Sequence, residues 1–313
     1  MSSAAPTPAA TSSRFGPTDA GLVAMAVIWG VNYSVMKAGL RDLSPLAFGG
    51  LRMTLAAGTL WLIVGSLRNI PWPSARDRRH LLLLGLLGNG VYQLCFTFGL
   101  SQTRAGVAAL ITAAGPAWIA IMARFLGRER ITGRGWTGIV LQLLGAACVV
   151  ASASAFTGSG HGLTGALLIA CGSLSWGLFS VLLQPYTMRA HPMALSAITM
   201  SSGATLLLLV AAADLRQLDW GGVTLAQWGS IAYAGLGSMV IAYLFFYRGV
   251  KVLGPTRTAM YGNLQPIIAL SVAWMTLGER PTGWQLLGTA SIVAGLLVSR
   301  TARPRPPRTD TAQ

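Results

Sequence analysis

The chain has 313 residues, of which 53% are hydrophobic and only 10% charged, and its net charge is +15. Water-soluble domains carry about 25% charged residues, so this composition excludes a protein that covers itself with polar surface. The basic excess leaves two kinds of partner, nucleic acid or anionic lipid, and the placement of the charges decides between them.

Residues 1–19, rich in Ser, Ala, Pro and Thr, read as a disordered tail rather than a cleaved leader, because no small-residue cleavage site accompanies the first apolar block. Ten apolar blocks follow, at 20–39, 45–66, 81–100, 104–125, 134–153, 162–183, 193–213, 226–247, 255–277 and 283–299. About 20 apolar residues span the hydrocarbon core as a helix. Their glycine-rich composition, without strand-like alternation, argues against a β-barrel. The expected fold is an all-α integral membrane protein with ten transmembrane helices.

Taken in order, the first block carries Trp29-Gly30-Val31-Asn32-Tyr33, and the second opens at Pro45 and buries a cation, Arg52. Arg52 lies seven residues past Pro45, about 10 Å deep at helical rise. An intramembrane charge must find a partner or a wet cavity. Two roles fit: it holds a substrate carboxylate or phosphate, or it satisfies helix-end carbonyls and fixes bundle geometry. Tyr92 and Gln93 follow in the third block, and Pro116 and Trp118 in the fourth. Residues 153–165 read as a linker. Trp176 lies in the sixth block, Tyr243 in the eighth, and Asn263, Gln265 and Pro266 in the ninth. Residues 301–313 form a second, basic tail. Polar side chains inside lipid turn toward a bundle interior or a cavity. The candidate substrate-binding set is therefore Asn32, Tyr33, Arg52, Tyr92, Gln93, Trp118, Trp176, Tyr243, Asn263 and Gln265, with interhelical glue as the other role each can fill. Pro116 and Pro266 remove an intrahelical hydrogen bond and kink their helices, freeing a carbonyl near Thr112 or Gly262.

The chain is also one unit written twice. Pro116 leads to Glu129-Arg130 and Pro266 to Glu279-Arg280, 150 residues on. At that offset Gly85 meets Gly235, Gly138 meets Gly288 and Gly145 meets Gly295; upstream, at 147, Trp29-Gly30 meets Trp176-Gly177. Residues 20–152 and 166–300 form the two copies. Five helices per copy is odd, so the second copy enters the membrane from the opposite face, and inverted repeats of this kind enclose a midplane site. The paired glycines place helix 5 against helix 10, or against a second protomer in a homodimer.

Sixteen of the 23 Lys and Arg fall in the tails and even-numbered connections and five in the odd-numbered ones. That asymmetry places both termini in the cytoplasm of an inner-membrane protein and makes the charge a topology signal, with no nucleic-acid partner. None of the eight acids lies in mid-span, and His80, His161 and His191 sit in connections. The nucleophile–base pair or metal cluster of an intramembrane enzyme is therefore missing. No phosphate-binding fingerprint or metal spacing calls for a cofactor. Glu129 and Glu279 read as structural groups at helix ends, paired with Arg130 or Arg280 or a loop amide.

In their order and duplication, these residues resemble the EamA-type carriers of the drug/metabolite transporter superfamily. The resemblance rests on Trp29-Gly30-Val31-Asn32-Tyr33, on Pro45 with Arg52, and on Ala108-Ala109-Leu110 through Pro116 to Leu126-Gly127-Arg128-Glu129. In the ninth block it rests on Leu264-Gln265-Pro266 through Leu277-Gly278-Glu279-Arg280. It implies a secondary transporter of small metabolites, amino acids or related solutes, working by alternating access among membrane lipids. A lipid flippase on the same repeat is the alternative. The family often has glutamate directly before the ninth-helix proline; here Gln265 stands there, so no role of that carboxylate carries over.

Overall fold

The computed structural model describes residues 15–128, 130–157, 161–253, 258 and 261–301. Most of the two expected tails, and Glu129, lie outside the described residues. Eight helices are long and apolar enough to cross a membrane: α1 (Pro17–Gly39), α2 (Pro45–Ser66), α3 (Ala75–Gln102), α4 (Ala105–Phe125), α5 (Gly133–Thr157), α6 (His161–Thr187), α7 (Pro192–Gln217) and α8 (Leu225 to Leu253). Two shorter apolar helices follow, α9 (Leu264–Leu277) and α10 (Gly283–Thr301). The described residues contain no strand. The chain is an all-helical, multi-pass membrane protein.

Local chemistry sets the helix ends. Ser44 Oγ accepts the Ala47 N–H (3.1 Å) ahead of Pro45 at the first helical position. Ser74 Oγ accepts the Asp77 N–H (3.1 Å), which starts α3 six residues before the apolar block expected from residue 81. Thr282 and Gln285 form a reciprocal cap at the start of α10, with bonds of 3.1 and 3.2 Å. Helix continues to Thr157 and resumes at His161, where the sequence suggested a linker over 153–165. Ala-rich sequence propagates helix well, and the Ser152 hydroxyl bonds back to the Val149 carbonyl (2.7 Å) rather than breaking it. At the other end, Asp19 is no part of a free tail. It is buried in the first turn of α1, accepting the Gly16 N–H (2.9 Å) and the Tyr261 hydroxyl (2.5 Å).

Packing proceeds through glycine. A methyl on Gly145 would lie 2.6 Å from the Gly288 carbonyl oxygen, and one on Gly295 would lie 2.5 Å from that of Gly138. The glycine faces of α5 and α10 therefore meet each other, antiparallel, with their backbones in contact. Helices α2 and α7 also run antiparallel: Gly49 and Gly50 face Leu207 and Ala211, and Trp61 Nε1 donates to Ser201 Oγ (2.7 Å). The Trp-Gly pairs mark close crossings. A methyl on Gly30 would meet Ile268 of α9 at 2.7 Å, and one on Gly177 would meet Trp118 of α4 at 3.0 Å. Helix α4 is interrupted at Ala114, two residues before Pro116, and α9 has its turn at Asn263, three before Pro266. Helices α3 and α8 each contain a π-helical stretch, Leu86–Val91 and Tyr233–Ile241.

Candidate functional site

Arg52 has the largest wholly buried side chain among the described residues, at 2% exposure. Helix α2 holds it against the turn of α3 that follows the π-helical stretch. There its Nη2 donates to Gln93 Oε1 (2.6 Å) and Thr97 Oγ1 (3.2 Å), while Nη1 faces the Met239 sulfur of α8 (3.9 Å). Its Nε has no acceptor, and no carboxylate among the described residues pairs with it. Its hydrogen-bond partners are side chains of α3 rather than helix-end carbonyls, and by tying α2 to α3 they fit the bundle-geometry role as well as a substrate role. A buried cation bound only by neutral groups is electrostatically incomplete.

A second group lies beside it. The Tyr33 hydroxyl sits 2.5 Å from Thr112 Oγ1, just N-terminal to the break in α4, and Thr112 in turn bonds the Ala108 and Ala109 carbonyls (3.0 Å each). From Tyr33, ring contacts run to Phe96 (5.7 Å), on to Tyr92 (5.7 Å), to Trp176 (5.1 Å) and to Phe179 (5.2 Å). This aromatic wall crosses α1, α3 and α6. Asn32, buried next to Tyr33, gives its Nδ2 to the Met36 sulfur (3.3 Å) and leaves Oδ1 without a donor. Tyr243 packs edge-on against Trp29 (5.7 Å) and beside Tyr247 (5.9 Å). The Tyr247 hydroxyl meets Ser196 Oγ at 2.7 Å.

The structure thus brings Arg52 and Gln93 into direct contact and places Tyr33, Tyr92 and Trp176 in one wall. Trp118 lies against Gly177, and Asn263 and Gln265 are half-buried near the α9 turn with no side-chain hydrogen bond among the described residues. Two hollows, of about 380 and 580 Å³, flank α3, and none of the ten candidates lines either. Sequence reading missed Thr97 and Met239 as Arg52 partners. Thr97 was findable, since it lies one turn after Gln93 on the same face; Met239, 187 residues from Arg52, carried no signal.

Glu279 pairs not with Arg280 but with groups in the other half of the chain. Its carboxylate accepts the Ala105 and Gly106 N–H groups (3.1 Å each) at the start of α4, with Arg104 Nε 3.8 Å away. Arg104 also donates to the Arg280 carbonyl (3.0 Å). At this end of the bundle Lys37 Nζ donates to the Leu100 and Ser101 carbonyls at the end of α3 (2.9 Å each).

Known proteins resemble this chain over nearly its whole length. The uncharacterized transporter sll0355 of Synechocystis sp. is 29% identical over 295 residues, covering 90% of this chain and 88% of that protein. The uncharacterized transporter YyaM of Bacillus subtilis is 24% identical over 280 residues, covering 89% and 92%. A probable terminal-alkyne amino-acid exporter of Streptantibioticus cattleyicolor is 25% identical over 277 residues, covering 88% and 91%. One solved crystal structure shares the fold with a TM-score of 0.61 at 20% identity, covering 92% of this chain and 99% of that one. The EamA-like transporter family matches twice, over residues 17–151 and 163–301. With both halves matched, the chain belongs to the EamA-like transporter family.

Proposed function

We propose that this protein is a secondary carrier of small metabolites, amino acids or related solutes, in which two inverted five-helix repeats alternate access to a midplane site. The observation that carries this reading is the antiparallel meeting of equivalent helices. Helix α2 packs on α7 and α5 on α10, each pair five helices apart, as a two-fold axis in the membrane plane requires. The other crossings exchange in the same way. Gly30 of α1 meets Ile268 of α9, and Gly177 of α6 meets Trp118 of α4; Trp118 and Ile268 are 150 residues apart. Helices α1, α8 and α9 correspond to α6, α3 and α4.

The ties made by Lys37 and Glu279 join these two groups at the end of the bundle opposite the basic connections. With both termini in the cytoplasm, as the charge asymmetry indicates, that end is external and held shut. Arg52, Gln93 and the Tyr33–Trp176 wall then supply a cation, an amide and aromatic faces for a solute with a carboxylate and an apolar part. The amino-acid exporter among the relatives supports this substrate class. A flippase needs a polar route from lipid to these residues; the hollow beside α3, lined by Arg79, five leucines, Ser201, Ser202 and Thr205, includes none of them.

Purified protein in liposomes, loaded in turn with amino acids, nucleosides, sugars and quaternary amines, tests the reading by counterflow. Saturable exchange of a carboxylate-bearing solute is expected, with KM raised by Gln265→Ala and by Arg52→Met. Wild-type kinetics in both variants would remove the site assignment, and exchange of labelled phospholipid alone would replace the carrier with a flippase.

A further inference from the structure

The two hollows beside α3 lie outside the carrier site. The smaller, about 380 Å³, is lined by His80 of α3, Arg128 after α4, and Tyr186 and Arg189 at the end of α6, over a floor that includes Leu83 and Leu87. The larger, about 580 Å³, is bounded by Arg79, Leu82, Leu83 and Leu86 of α3 and by Thr205 and Leu209 of α7. Leu83 borders both, so the hollows straddle one helix, with Arg79 and His80 as adjacent heads. No acid lines either one.

The geometry points to a binding site for an anionic phospholipid, its phosphate held by the cations and one acyl chain lying in the leucine groove. Arg79, Leu82, Leu83 and Leu86 follow the i, i+3, i+4, i+7 spacing of one helix stripe. The cation therefore sits at the membrane surface, with the leucines reaching about 10 Å deeper. Leu83 is 65% exposed and Leu209 71% exposed, within helices whose outer surface is lipid. One cationic head is also built in place. Pro185 has no N–H to give the Val181 carbonyl, and Arg128 Nη1 supplies that bond at 2.5 Å. This fixes one guanidinium at the rim of the smaller hollow, and the Tyr186 hydroxyl and His80 Nδ1, 3.3 Å apart, close its other side. Two guanidiniums, an imidazole and a phenol around an apolar floor suit a phosphodiester, which accepts several donors and brings its own hydrocarbon.

Native mass spectrometry of the purified protein in detergent, titrated with dioleoyl phosphatidylglycerol or dioleoyl phosphatidylcholine, tests this. Wild type is expected to retain the anionic lipid preferentially. Arg79→Gln with Arg189→Gln should weaken that binding roughly 30-fold, at about fivefold per cation removed, and Thr205→Trp should weaken it by filling the groove with every charge intact. Arg68→Gln, a basic residue outside both hollows, should leave it unchanged. Equal retention of the two lipids, an equal loss in the Arg68→Gln control, or displacement of the lipid by millimolar glycerol phosphate would overturn the proposal. The last result would mark the site as one for a soluble anion.

Discussion

Replacing Glu279 by glutamine probes the proposed external closure with almost no change in shape. The carboxylate accepts two backbone N–H groups at the start of α4, each at 3.1 Å. Glutamine keeps one acceptor and turns an amide toward the other donor. Loss of a helix cap costs about 1 kcal/mol, and loss of an anion from a helix N-terminus about 0.5–1 kcal/mol. The Arg104 contact, at 3.8 Å with side chains 26% and 13% exposed, is solvent-screened and adds about 0.5 kcal/mol at most. The total is about 2 kcal/mol, which corresponds to roughly a 30-fold shift in the balance between shut and open forms. Cys95, Cys148 and Cys171 are replaced, a single cysteine is placed at Thr112 beside Tyr33, and an impermeant maleimide is added from outside to sealed vesicles. Labelling should accelerate up to about 30-fold in Glu279→Gln, the population shift just given. Lys37→Met, which releases the Leu100 and Ser101 carbonyls, should accelerate it as well, and the double variant should fall short of the product of the two. Unchanged labelling accompanied by a lowered melting temperature would mean that Glu279 only stabilises α4, and the external-gate reasoning would fail.

Three further outcomes follow from contacts elsewhere. Gly145→Ala forces a methyl to within 2.6 Å of the Gly288 carbonyl oxygen and should cost about 3 kcal/mol, the upper end for overpacking, in reversible unfolding from micelles. Gly65→Ala, with nothing within 4 Å, should be neutral or stabilising. Gln93→Leu strips Arg52 of its 2.6 Å acceptor and should cost about 2 kcal/mol, the worth of a hydrogen bond to a charged group. Arg52→Met should cost less because it removes the charge together with its need for a partner, and the same unfolding assay ranks the two. Arg128→Ala should cost about 1–3 kcal/mol by orphaning the Val181 carbonyl, and much less in a Pro185→Ala background, where a backbone N–H returns. Equal costs in the two backgrounds would show that the proline-freed carbonyl is not what Arg128 serves.

The helical architecture was legible because lipid imposes a length and a polarity on every span. Deviations arose where a local signal competed with hydropathy. The α3 start was misplaced because Arg76, Asp77, Arg78 and Arg79 are polar, yet a Ser74 cap and long side chains that reach the interface carry the helix through them. The composition before Asp19 points to a tail, although Pro17 at the first turn and an acid two residues on are a start signal. Its partner Tyr261, 242 residues away, left no trace in the local sequence. The candidate polar residues were found by type, since amides and cations are rare in lipid. Which of them touch depends on helix rotation, which a uniformly apolar block does not encode: α6 and α7 are apolar on nearly every face.

The duplication itself explains this division. The positions repeated between halves are points where backbones nearly touch. Gly85 abuts Thr199 of α7 and its counterpart Gly235 abuts Arg52 of α2, with Thr199 and Arg52 themselves 147 residues apart. A side chain at either glycine would separate the helices, so each repeated glycine records a crossing. The polar positions at those same crossings differ. Arg52, Gln93 and Thr97 on one side correspond to Thr199, Tyr243 and Tyr247 on the other, where the bond is between two hydroxyls, Ser196 and Tyr247. In the proposed repeats, Arg52 thus has a neutral counterpart, Thr199. In the proposed midplane chamber this gives a charged wall and a phenolic wall, so that a solute with distinct ends would meet different chemistry in each. The repeats therefore mark the scaffold, and the places where they disagree mark the chemistry.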